Sequence, residues 1–300
     1  MRPRPTPTPA LPRAGASTLG VGRRDGEPTG VPIRRPVLRW HGGKWRLAPW
    51  IIGHLPPHDA YCEPYGGAAS VLLRKPPAPL ETVNDLHGRL VNFFTILREQ
   101  ADELVRAIEL TPYARAEFQR AHQPAADPLE DARRLYVLAN QGRGGAASGR
   151  TRAGWRAEHN PTHRLVPPRD FTATHLRAIA ARLKHVQIEQ ADALTVIARY
   201  DAPGTLHYVD PPYVRAARNP RSHGRYAHDL SDADHRALAE LLHQVQGMVV
   251  LSGYPSRLYA ELYGDWQRLD RTARDDAATA RIESLWRNPA AAHASKEAQP

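Results

Sequence analysis

The sequence is poor in cysteine and has no long apolar run. Cys62 is its only cysteine, which excludes an intramolecular disulfide and a metal cluster built on cysteine thiolates. No apolar segment approaches the roughly 20 residues that a membrane-spanning helix needs. The first residues contain arginine and proline but no continuous apolar stretch, so we expect no secretory signal. These absences predict a cytoplasmic protein without a membrane partner.

Positive charge is abundant. Lysine and arginine number 41 and acidic residues 31 among the 300 residues, a formal net charge of +10. This balance favours a polyanionic partner, with nucleic acid as the first candidate. An arginine-rich composition inherited from a GC-rich genome explains the charge equally well. Half of the excess lies in residues 1–36, which are rich in Pro, Gly and Thr and which we expect to form a disordered basic tail.

Short apolar strands alternate with amphipathic helices over most of the remaining chain. This alternation predicts an α/β fold in which helices cover both faces of a mainly parallel sheet. The predicted strands are 61–63, 81–84, 186–189, 205–209 and 248–252, with an antiparallel edge pair at 266–272 and 281–286. The predicted helices between them are 47–55, 68–74, 86–98 and 232–244. Residues 101–168 depart from this order, with helices at 102–110, 113–121 and 129–140 and a Gly/Arg loop, and are interpreted as an insertion.

The tetrapeptide Asp210-Pro211-Pro212-Tyr213 follows the fourth predicted strand, at the sheet edge where open α/β proteins bind ligands. Its residue types suit the activation of an aromatic amine such as adenine N6, a poor nucleophile because its lone pair is delocalised into the ring. A carboxylate that accepts one amine proton, and a proline-fixed carbonyl that accepts the other, localise this lone pair. A tyrosine ring can stack on a base that has left the duplex. The alternative is an ordinary Asp-Pro turn.

A glycine turn, Glu63-Pro64-Tyr65-Gly66-Gly67, follows the first predicted strand and leads into the helix predicted at 68–74. Small residues there allow the backbone to approach a ligand closely, and a helix N-terminus suits a carboxylate. An ordinary tight turn between a strand and a helix is an equally good interpretation, because glycine-rich turns are weakly specific.

Two further segments carry candidate binding residues. Asp85 ends the second predicted strand, about 20 residues after the glycine turn, where an acidic residue can bond ribose hydroxyls. It can equally cap the following helix. Trp40 and Lys44 precede the helix predicted at 47–55 and offer a stacking face and a cation for a carboxylate. A capped surface helix with a buried tryptophan is the alternative.

Taken in order, these segments resemble the Dam-like family of N6-adenine DNA methyltransferases, with the alpha-type order of motifs. The matching segments are Trp40-His41-Gly42-Gly43-Lys44, Glu63-Pro64-Tyr65-Gly66-Gly67, Asn84-Asp85, Gln190-Ala191-Asp192, Asp210-Pro211-Pro212-Tyr213, Ser252-Gly253-Tyr254-Pro255-Ser256 and Glu283-Ser284-Leu285-Trp286. The resemblance covers about residues 36–290. The chain departs from the family pattern Phe-x-Gly-x-Gly at Tyr65 and Ala69, and it has His41 where a small residue is common.

The resemblance implies a Rossmann-like methyltransferase fold, a mostly parallel seven-stranded sheet with one antiparallel strand. It divides the chain into a catalytic domain (37–100 and 169–290), a mainly helical target-recognition domain (101–168) and a C-terminal tail (291–300). It implies S-adenosyl-L-methionine as the cofactor, with contacts from Trp40, Lys44, Glu63, Tyr65, Gly67, Asp85, Asp192 and Asp210. By the same resemblance Asp210 bonds the target N6, Tyr213 stacks on the flipped adenine, and Tyr254 helps to line the base pocket.

The segment 141–156 is the predicted DNA contact. It contains Arg143, Arg150, Arg152, Arg156 and Trp155 but no acidic residue. Arginines of this kind contact phosphates or guanine edges, and an exposed tryptophan can wedge into an opened duplex. A mobile Gly/Arg surface loop is the alternative. With the resemblance, this segment predicts double-stranded DNA as the partner of a monomeric, metal-free enzyme from a bacterial cell or a phage.

Other functions fit the sequence less well. A cytosine-5 methyltransferase needs a cysteine nucleophile, usually in a Pro-Cys pair, whereas Cys62 lies between Tyr61 and Glu63. Cytosine-N4 enzymes usually have Ser in place of Asp210, and enzymes acting on RNA or protein glutamine more often have Asn. A DNA-binding module that has lost catalysis would not need Trp40, Lys44 and Asp210 together. The sequence therefore predicts direct, in-line methyl transfer to adenine N6 after base flipping.

Overall fold

The computed structural model describes residues 32–143, 154–157, 173–218, 226–274 and 280–297. The predicted basic tail, 1–36, lies outside these ranges except for its last five residues. The helices are α1 (Ala48–Ile52), α2 (Gly88–Glu99), α3 (Ala101–Glu109), α4 (Arg115–Ala121), α5 (Pro128–Gln141), α6 (Ala173–Leu183), α7 (Ala193–Arg199), α8 (Asp232–Leu242), α9 (Arg257–Leu262) and α10 (Pro289–Glu297). The strands are β1 (Ala60–Glu63), β2 (Leu80–Asn84), β3 (Val186–Glu189), β4 (Thr205–Val209), β5 (Met248–Gly253), β6 (Gln267–Arg274) and β7 (Ala280–Arg287).

The seven strands form one sheet in the order β3-β2-β1-β4-β5-β7-β6. Neighbours among β1 to β5 are parallel, whereas β7 runs antiparallel to both β5 and β6. Strands β4 and β5 are buried along their whole length, because side chains from both sheet faces enter hydrophobic clusters. The sheet confirms the predicted fold class, including the antiparallel pair at its edge.

The strand order reverses between β1 and β4. From β1 the chain goes outward to β2 and β3, and it later returns to form β4 on the other side of β1. In open α/β sheets a crevice opens at this point, beyond the carboxyl ends of the strands. Glu63 ends β1 and Asp210 follows β4, so this topology brings the two acidic residues to the same crevice.

The helix predicted at 68–74 does not form as a regular helix. Residues 67–75 make successive turns with only isolated helical bonds, such as the Leu73 amide to the Ala69 carbonyl at 2.9 Å. The reason lies in the backbone, since Gly67 and Ala69 have φ angles of 49° and 51°. These left-handed conformations interrupt helical geometry, and they are uncommon for alanine. The other predicted helices and strands are present, with ends displaced by a few residues.

Helices α3, α4 and α5 extend the core of the sheet domain. Their buried side chains belong to the same hydrophobic cluster as Phe93 of α2 and Leu206 of β4. Tyr136 of α5 stacks on Phe93 with 6.4 Å between ring centroids. Asp131 of α5 forms an ion pair with Arg89 of α2, with 3.0 Å between Arg89 Nε and Asp131 Oδ1. The described part of the predicted insertion, up to residue 143, is therefore continuous with the sheet domain in its packing, and its role in target recognition stays a prediction.

The chain end differs from the predicted C-terminal tail. Helix α10 includes residues 291–297, and Ala291 is fully buried where α10 packs against β5 and β7. Asn288 fixes the start of this helix, because its side-chain oxygen accepts from the amides of both Val249 and Ala291. Across the ranges that the structure describes, every helix is too short or too polar to span a bilayer.

Candidate active site

A cavity occupies the crevice at the carboxyl ends of β1, β2 and β4. Its empty space, including solvent at the open mouth, is about 900 Å³. The structure brings most of the predicted site residues together here. Those that line the cavity are Trp40, Lys44, Glu63, Tyr65, Gly67, Asp85, Asp210, Pro211 and Pro212.

The glycine turn after β1 lies against the end of β2. A side chain at Gly66 would place its Cβ 2.4 Å from Val83 Cγ2 and 3.0 Å from the Asn84 carbonyl oxygen, so only glycine fits. The Gly66 amide donates to the same carbonyl at 2.7 Å, and the Gly67 amide donates to Asp85 Oδ2 at 2.9 Å. Two hydrogen bonds thus hold the turn against β2.

The side chain of Asn84 joins three strand ends. Its Nδ2 donates to the carbonyls of Pro64 and Ala191, at 2.9 and 3.0 Å, and its Oδ1 accepts from the Ala191 amide at 2.8 Å. Asp85, the next residue, also accepts from the His87 amide at 2.8 Å. Asn84 therefore acts as a scaffold, whereas Asp85 keeps part of its carboxylate facing the cavity.

Glu63 is a buried carboxyl group that borders the cavity. Its Oε2 accepts from the Tyr61 hydroxyl at 2.9 Å and from the Leu72 amide at 3.1 Å. Burial raises the pKa of Glu63 to about 8, because the charged form loses its hydration, and the hydrogen bond from Tyr61 only partly offsets this effect. The site thus contains a titratable group that changes charge near neutral pH.

Asp210 is fixed by contacts to both of its carboxylate oxygens. The Ser252 hydroxyl at the end of β5 donates to Oδ1 at 2.6 Å, and Lys44 Nζ lies 2.8 Å from Oδ2. Lys44 Nζ also donates to the Gly42 carbonyl at 2.8 Å. Burial lowers the pKa of Lys44, but the carboxylates of Asp210 and Glu283 outweigh it and hold the pKa above its ordinary value. Lys44 is therefore a cation at neutral pH.

Tyr213 lies behind Lys44 and outside the set of cavity-lining residues. Lys44 Nζ is 4.7 Å from the centroid of its ring, and the Tyr254 ring packs edge-on against it at 4.7 Å. The Tyr213 hydroxyl donates to Glu283 Oε2 at 2.9 Å. Burial, followed by the charge of Glu283, raises the pKa of Tyr213 well above its ordinary value, so the hydroxyl remains a donor. Its predicted stacking on a flipped base remains a prediction.

Comparison with known proteins shows the family to which the chain belongs. Residues 40–276 match the family described as D12 class N6 adenine-specific DNA methyltransferase. The chain belongs to this family. It is 27% identical to a DNA adenine methylase of Serratia marcescens over 245 residues, 77% of this chain and 86% of that protein.

Two other bacterial relatives are similarly distant. The DNA adenine methylase of Escherichia coli (strain K12) is 27% identical over 240 residues, 76% of this chain and 84% of the relative. That of Haemophilus influenzae (strain ATCC 51907 / DSM 11121 / KW20 / Rd) is 24% identical over 242 residues, 76% and 82% of the two chains. The protein is thus an adenine-specific DNA methyltransferase, and the predicted family is confirmed.

Asp192 has a structural task in the methyltransferase. Its carboxylate caps α7 by accepting from the amides of Leu194 and Thr195, at 2.9 and 3.2 Å. The side chain is exposed and does not line the cavity, whereas the next residue, Ala193, does. The predicted contact between Asp192 and the cofactor stays a prediction.

The predicted DNA-contacting residues of the methyltransferase are only partly described. Arg150 and Arg152 lie outside the described residues. Trp155 pairs with Gly142 in an antiparallel bridge, its ring lies 5.3 Å from Tyr113, and its Nε1 donates to Gln141 Oε1 at 3.3 Å. Trp155 is therefore packed against the end of α5 rather than projecting freely.

Arg143 and Arg156, at the two ends of the predicted DNA-contacting segment, make different hydrogen bonds, one through its side chain and the other through its backbone amide. The Arg156 amide donates to the Gln141 carbonyl at 2.8 Å. The Arg143 guanidinium donates to the Ala157 carbonyl at 3.0 Å. Neither arginine lines the cavity, and DNA contact by both stays a prediction.

Sequence reasoning missed two groups of residues around the cavity. Tyr226, His228 and Leu230 line it but follow the tetrapeptide at no regular spacing. Asp229 holds this segment by accepting from the guanidinium groups of Arg218 and Arg215, at 2.8 and 3.0 Å. Ser252 and Glu283 are in segments that carried the family resemblance, which was the available signal, yet no role was assigned to them.

Proposed function

We propose that the protein transfers a methyl group from S-adenosyl-L-methionine to the N6 amine of adenine in double-stranded DNA. The transfer is direct and in line, and it takes place after the base has rotated out of the duplex. We propose that the protein acts as a monomer. The observation that carries the proposal is the fixed carboxylate of Asp210 at the cavity wall.

Asp210 localises the lone pair of the amine. Each of its oxygens is used once, by Ser252 and by Lys44, which leaves one acceptor position on each oxygen. An N6 proton occupies one of these positions. The N6 lone pair then forms the new nitrogen–carbon bond as the sulfur–carbon bond breaks, with its electron pair going to sulfur. The resulting cationic amine is acidic and loses its proton to Asp210 or to water, so Asp210 need not be a strong base.

The cavity suits the methyl donor. When bound, S-adenosyl-L-methionine supplies a methyl group on a positively charged sulfonium. The acidic side chains of Glu63, Asp85 and Asp210 line the cavity and suit this positive charge, the amino group and the ribose hydroxyls. The Ser70 hydroxyl is buried in the wall without a hydrogen-bond partner among the described residues, as expected of a group that awaits a polar ligand.

The indole of Trp40 offers a flat apolar surface beside the glycine turn. A Cβ at Gly67 would lie 3.2 Å from Trp40 Cδ1, so the glycine allows the turn to pack closely against the ring. Trp40 is held edge-on by His87 at 5.3 Å. Trp40, Glu63, Tyr65, Gly67 and Asp85 are the proposed cofactor contacts. Asp192 also belongs to the proposed cofactor contacts, and the support for it is that its neighbour Ala193 lines the cavity. Lys44, which lies 2.8 Å from Asp210 Oδ2, is instead assigned the task of orienting Asp210.

The proposed DNA contacts are the positively charged side chains between residues 143 and 156, together with the open mouth of the cavity. Arg143 is exposed and has no acidic partner within salt-bridge distance among the residues that the structure describes, which suits a phosphate contact. A duplex cannot place an adenine amine against Asp210 while the base remains stacked, which is the reason to propose base flipping.

The test is methylation of unmethylated genomic DNA with labelled S-adenosyl-L-methionine, followed by digestion to nucleosides and mass analysis. We expect N6-methyladenine from the unmodified chain and none from Asp210→Ala. Asp265→Ala is the matched control, because its carboxylate is exposed and its one ion pair within the described part of the chain is with His243. Near-normal turnover by Asp210→Ala, or a methyl group found on cytosine N4, would overturn the proposal.

A further inference from the structure

A second buried carboxylate, Glu283, faces the catalytic motif from β7. The last register pair between β5 and β7 is Gly253 with Ser284, so Glu283 lies just beyond the carboxyl end of β5. It is 9% exposed. Its position places it at the same sheet edge as Asp210, beside the loop that begins with Tyr254.

Glu283 contacts the last residue of the tetrapeptide. Its Oε2 accepts from the Tyr213 hydroxyl at 2.9 Å. Asp210, the first residue of the tetrapeptide, is fixed by Ser252 and Lys44. The loop 210–213 is therefore tied down at both ends, and Pro211 and Pro212 stiffen the backbone between them.

The charge of Glu283 also acts on Lys44. The ammonium of Lys44 lies over the Tyr213 ring, whose hydroxyl is bound to Glu283, and the charges of Asp210 and Glu283 both raise the pKa of Lys44. Burial raises the pKa of Glu283, while the Lys44 charge and the Tyr213 hydroxyl lower it. An unpaired acidic side chain at this depth would be unfavourable, and the hydrogen bond from the Tyr213 hydroxyl stabilises Glu283 there.

We propose that Glu283 is a positioning residue for methyl transfer, which holds the Tyr213 hydroxyl and the Lys44 ammonium so that the loop 210–213 keeps its reactive geometry. The inference rests on the proposed function. Glu283 itself does not line the cavity and touches neither substrate. Its effect is therefore expected in the rate of the chemical step, because small displacements of reacting groups lower that rate by up to about 100-fold.

The experiment compares kcat and KM for Glu283→Ala and Glu283→Gln with the unmodified chain. Glu283→Gln keeps an acceptor for Tyr213 but loses the charge, so we expect an intermediate kcat, roughly tenfold lower, and for Glu283→Ala about 100-fold lower. We expect KM for DNA and for S-adenosyl-L-methionine to change by less than about threefold. Adding Tyr213→Phe to Glu283→Ala should lower kcat by much less than Tyr213→Phe does alone, because the shared hydrogen bond is already lost.

Asp270→Asn is the matched control. Asp270 lies on the neighbouring strand β6 opposite Ser284 and accepts from its hydroxyl at 2.6 Å, but it does not border the cavity. An unchanged kcat in both Glu283 variants would overturn the inference about Glu283 but not the proposed function. A fall in kcat of the same size in Asp270→Asn would do the same. A change confined to KM, or full additivity with Tyr213→Phe, would also overturn it. If Glu283→Ala does not fold, the nearly isosteric Glu283→Gln decides; absence of transfer by the unmodified chain would instead overturn the proposed function and the inference with it.

Discussion

Lys44 Nζ lies 2.8 Å from Asp210 Oδ2, which joins the segment before α1 to the motif after β4. The same ammonium donates to the Gly42 carbonyl and lies over the Tyr213 ring. With three N–H groups, Lys44 thus has most of its donors directed at the protein itself. This arrangement indicates that Lys44 orients Asp210, a different task from the cofactor contact that the resemblance implies.

Replacing Lys44 distinguishes these two tasks. In Lys44→Met, Asp210 loses its cation, and we expect kcat to fall on the order of 100-fold while the Kd for S-adenosyl-L-methionine changes little. Single-turnover transfer and equilibrium binding measure the two quantities separately. Lys296→Met, which removes an exposed lysine of α10, is the control. A large rise in Kd with an unchanged kcat would instead show that Lys44 binds the cofactor.

The raised pKa of Glu63 predicts that the protein releases a proton when the methyl donor binds. Its pKa of about 8 means that the carboxyl group carries a proton at pH 7, and a bound cation favours the ionised form. Affinity for S-adenosyl-L-methionine should therefore rise as pH increases from 6 to 8, by up to about tenfold per pH unit. Calorimetry in two buffers with different ionisation enthalpies measures the released proton. Glu63→Gln should release fewer protons, and equal release from both proteins would contradict the prediction.

The close contact between Gly66 and β2 predicts that a larger residue at position 66 destabilises the protein. In Gly66→Ala the new methyl group would overlap Val83 and crowd the Asn84 carbonyl, so the turn or the strand must shift. We expect the free energy of unfolding to fall by about 1–3 kcal/mol, together with weaker cofactor binding. Denaturant unfolding checks the first effect. Gly154→Ala is the control, since nothing lies within 4 Å of its Cβ position, and an equal loss of stability in both variants would exclude this cause.

The lowered pKa of His207 predicts that the free energy of unfolding decreases as the solution becomes acidic. Burial in the centre of β4 lowers its pKa to about 4, and the nearby Asp201 only partly offsets the effect. The unfolded chain therefore takes up this proton near pH 6.5 and the folded chain only near pH 4. The contribution of the neutral ring is complete above about pH 6.5 and is lost as pH falls towards 4, by about 3 kcal/mol in all.

The variant His207→Gln removes this titration. Its free energy of unfolding should fall less steeply than that of the unmodified chain between pH 6.5 and 4, by up to one proton in the slope against pH. Urea unfolding at several pH values measures that slope. His293→Gln, which removes an exposed histidine, is the control variant. Parallel curves for His207→Gln and the unmodified chain would contradict the assignment.

Local patterns predicted the sheet well but not the contacts around its edge. Strands β3 and β4 were predicted with their observed ends, because the apolar–polar alternation of β3 and the short apolar-aromatic segment of β4 are typical of strands. The turns at 67–75 were mistaken for a helix, since the left-handed conformation of Ala69 has no signal in its residue type. The composition of that segment, rich in alanine and leucine, favours a helix.

The polar contacts of the site depend on the register of distant strands. The hydrogen bond from Ser252 to Asp210 requires β5 to lie beside β4, and that from Tyr213 to Glu283 requires the observed register of β7 on β5. Sequence order indicated that these segments belong to one family pattern. It contained no information on which side chains meet, because pairs this far apart are brought together only by tertiary folding.

The central position of β1 has a consequence for synthesis of the protein on the ribosome. Its two neighbours are β2, which follows almost at once, and β4, whose Thr205 pairs with Ala60. Until the ribosome has produced residues beyond 209, one side of β1 lacks its partner and exposes unpaired amide and carbonyl groups. A nascent or truncated chain that stops before that point should aggregate readily and should need protection by chaperones.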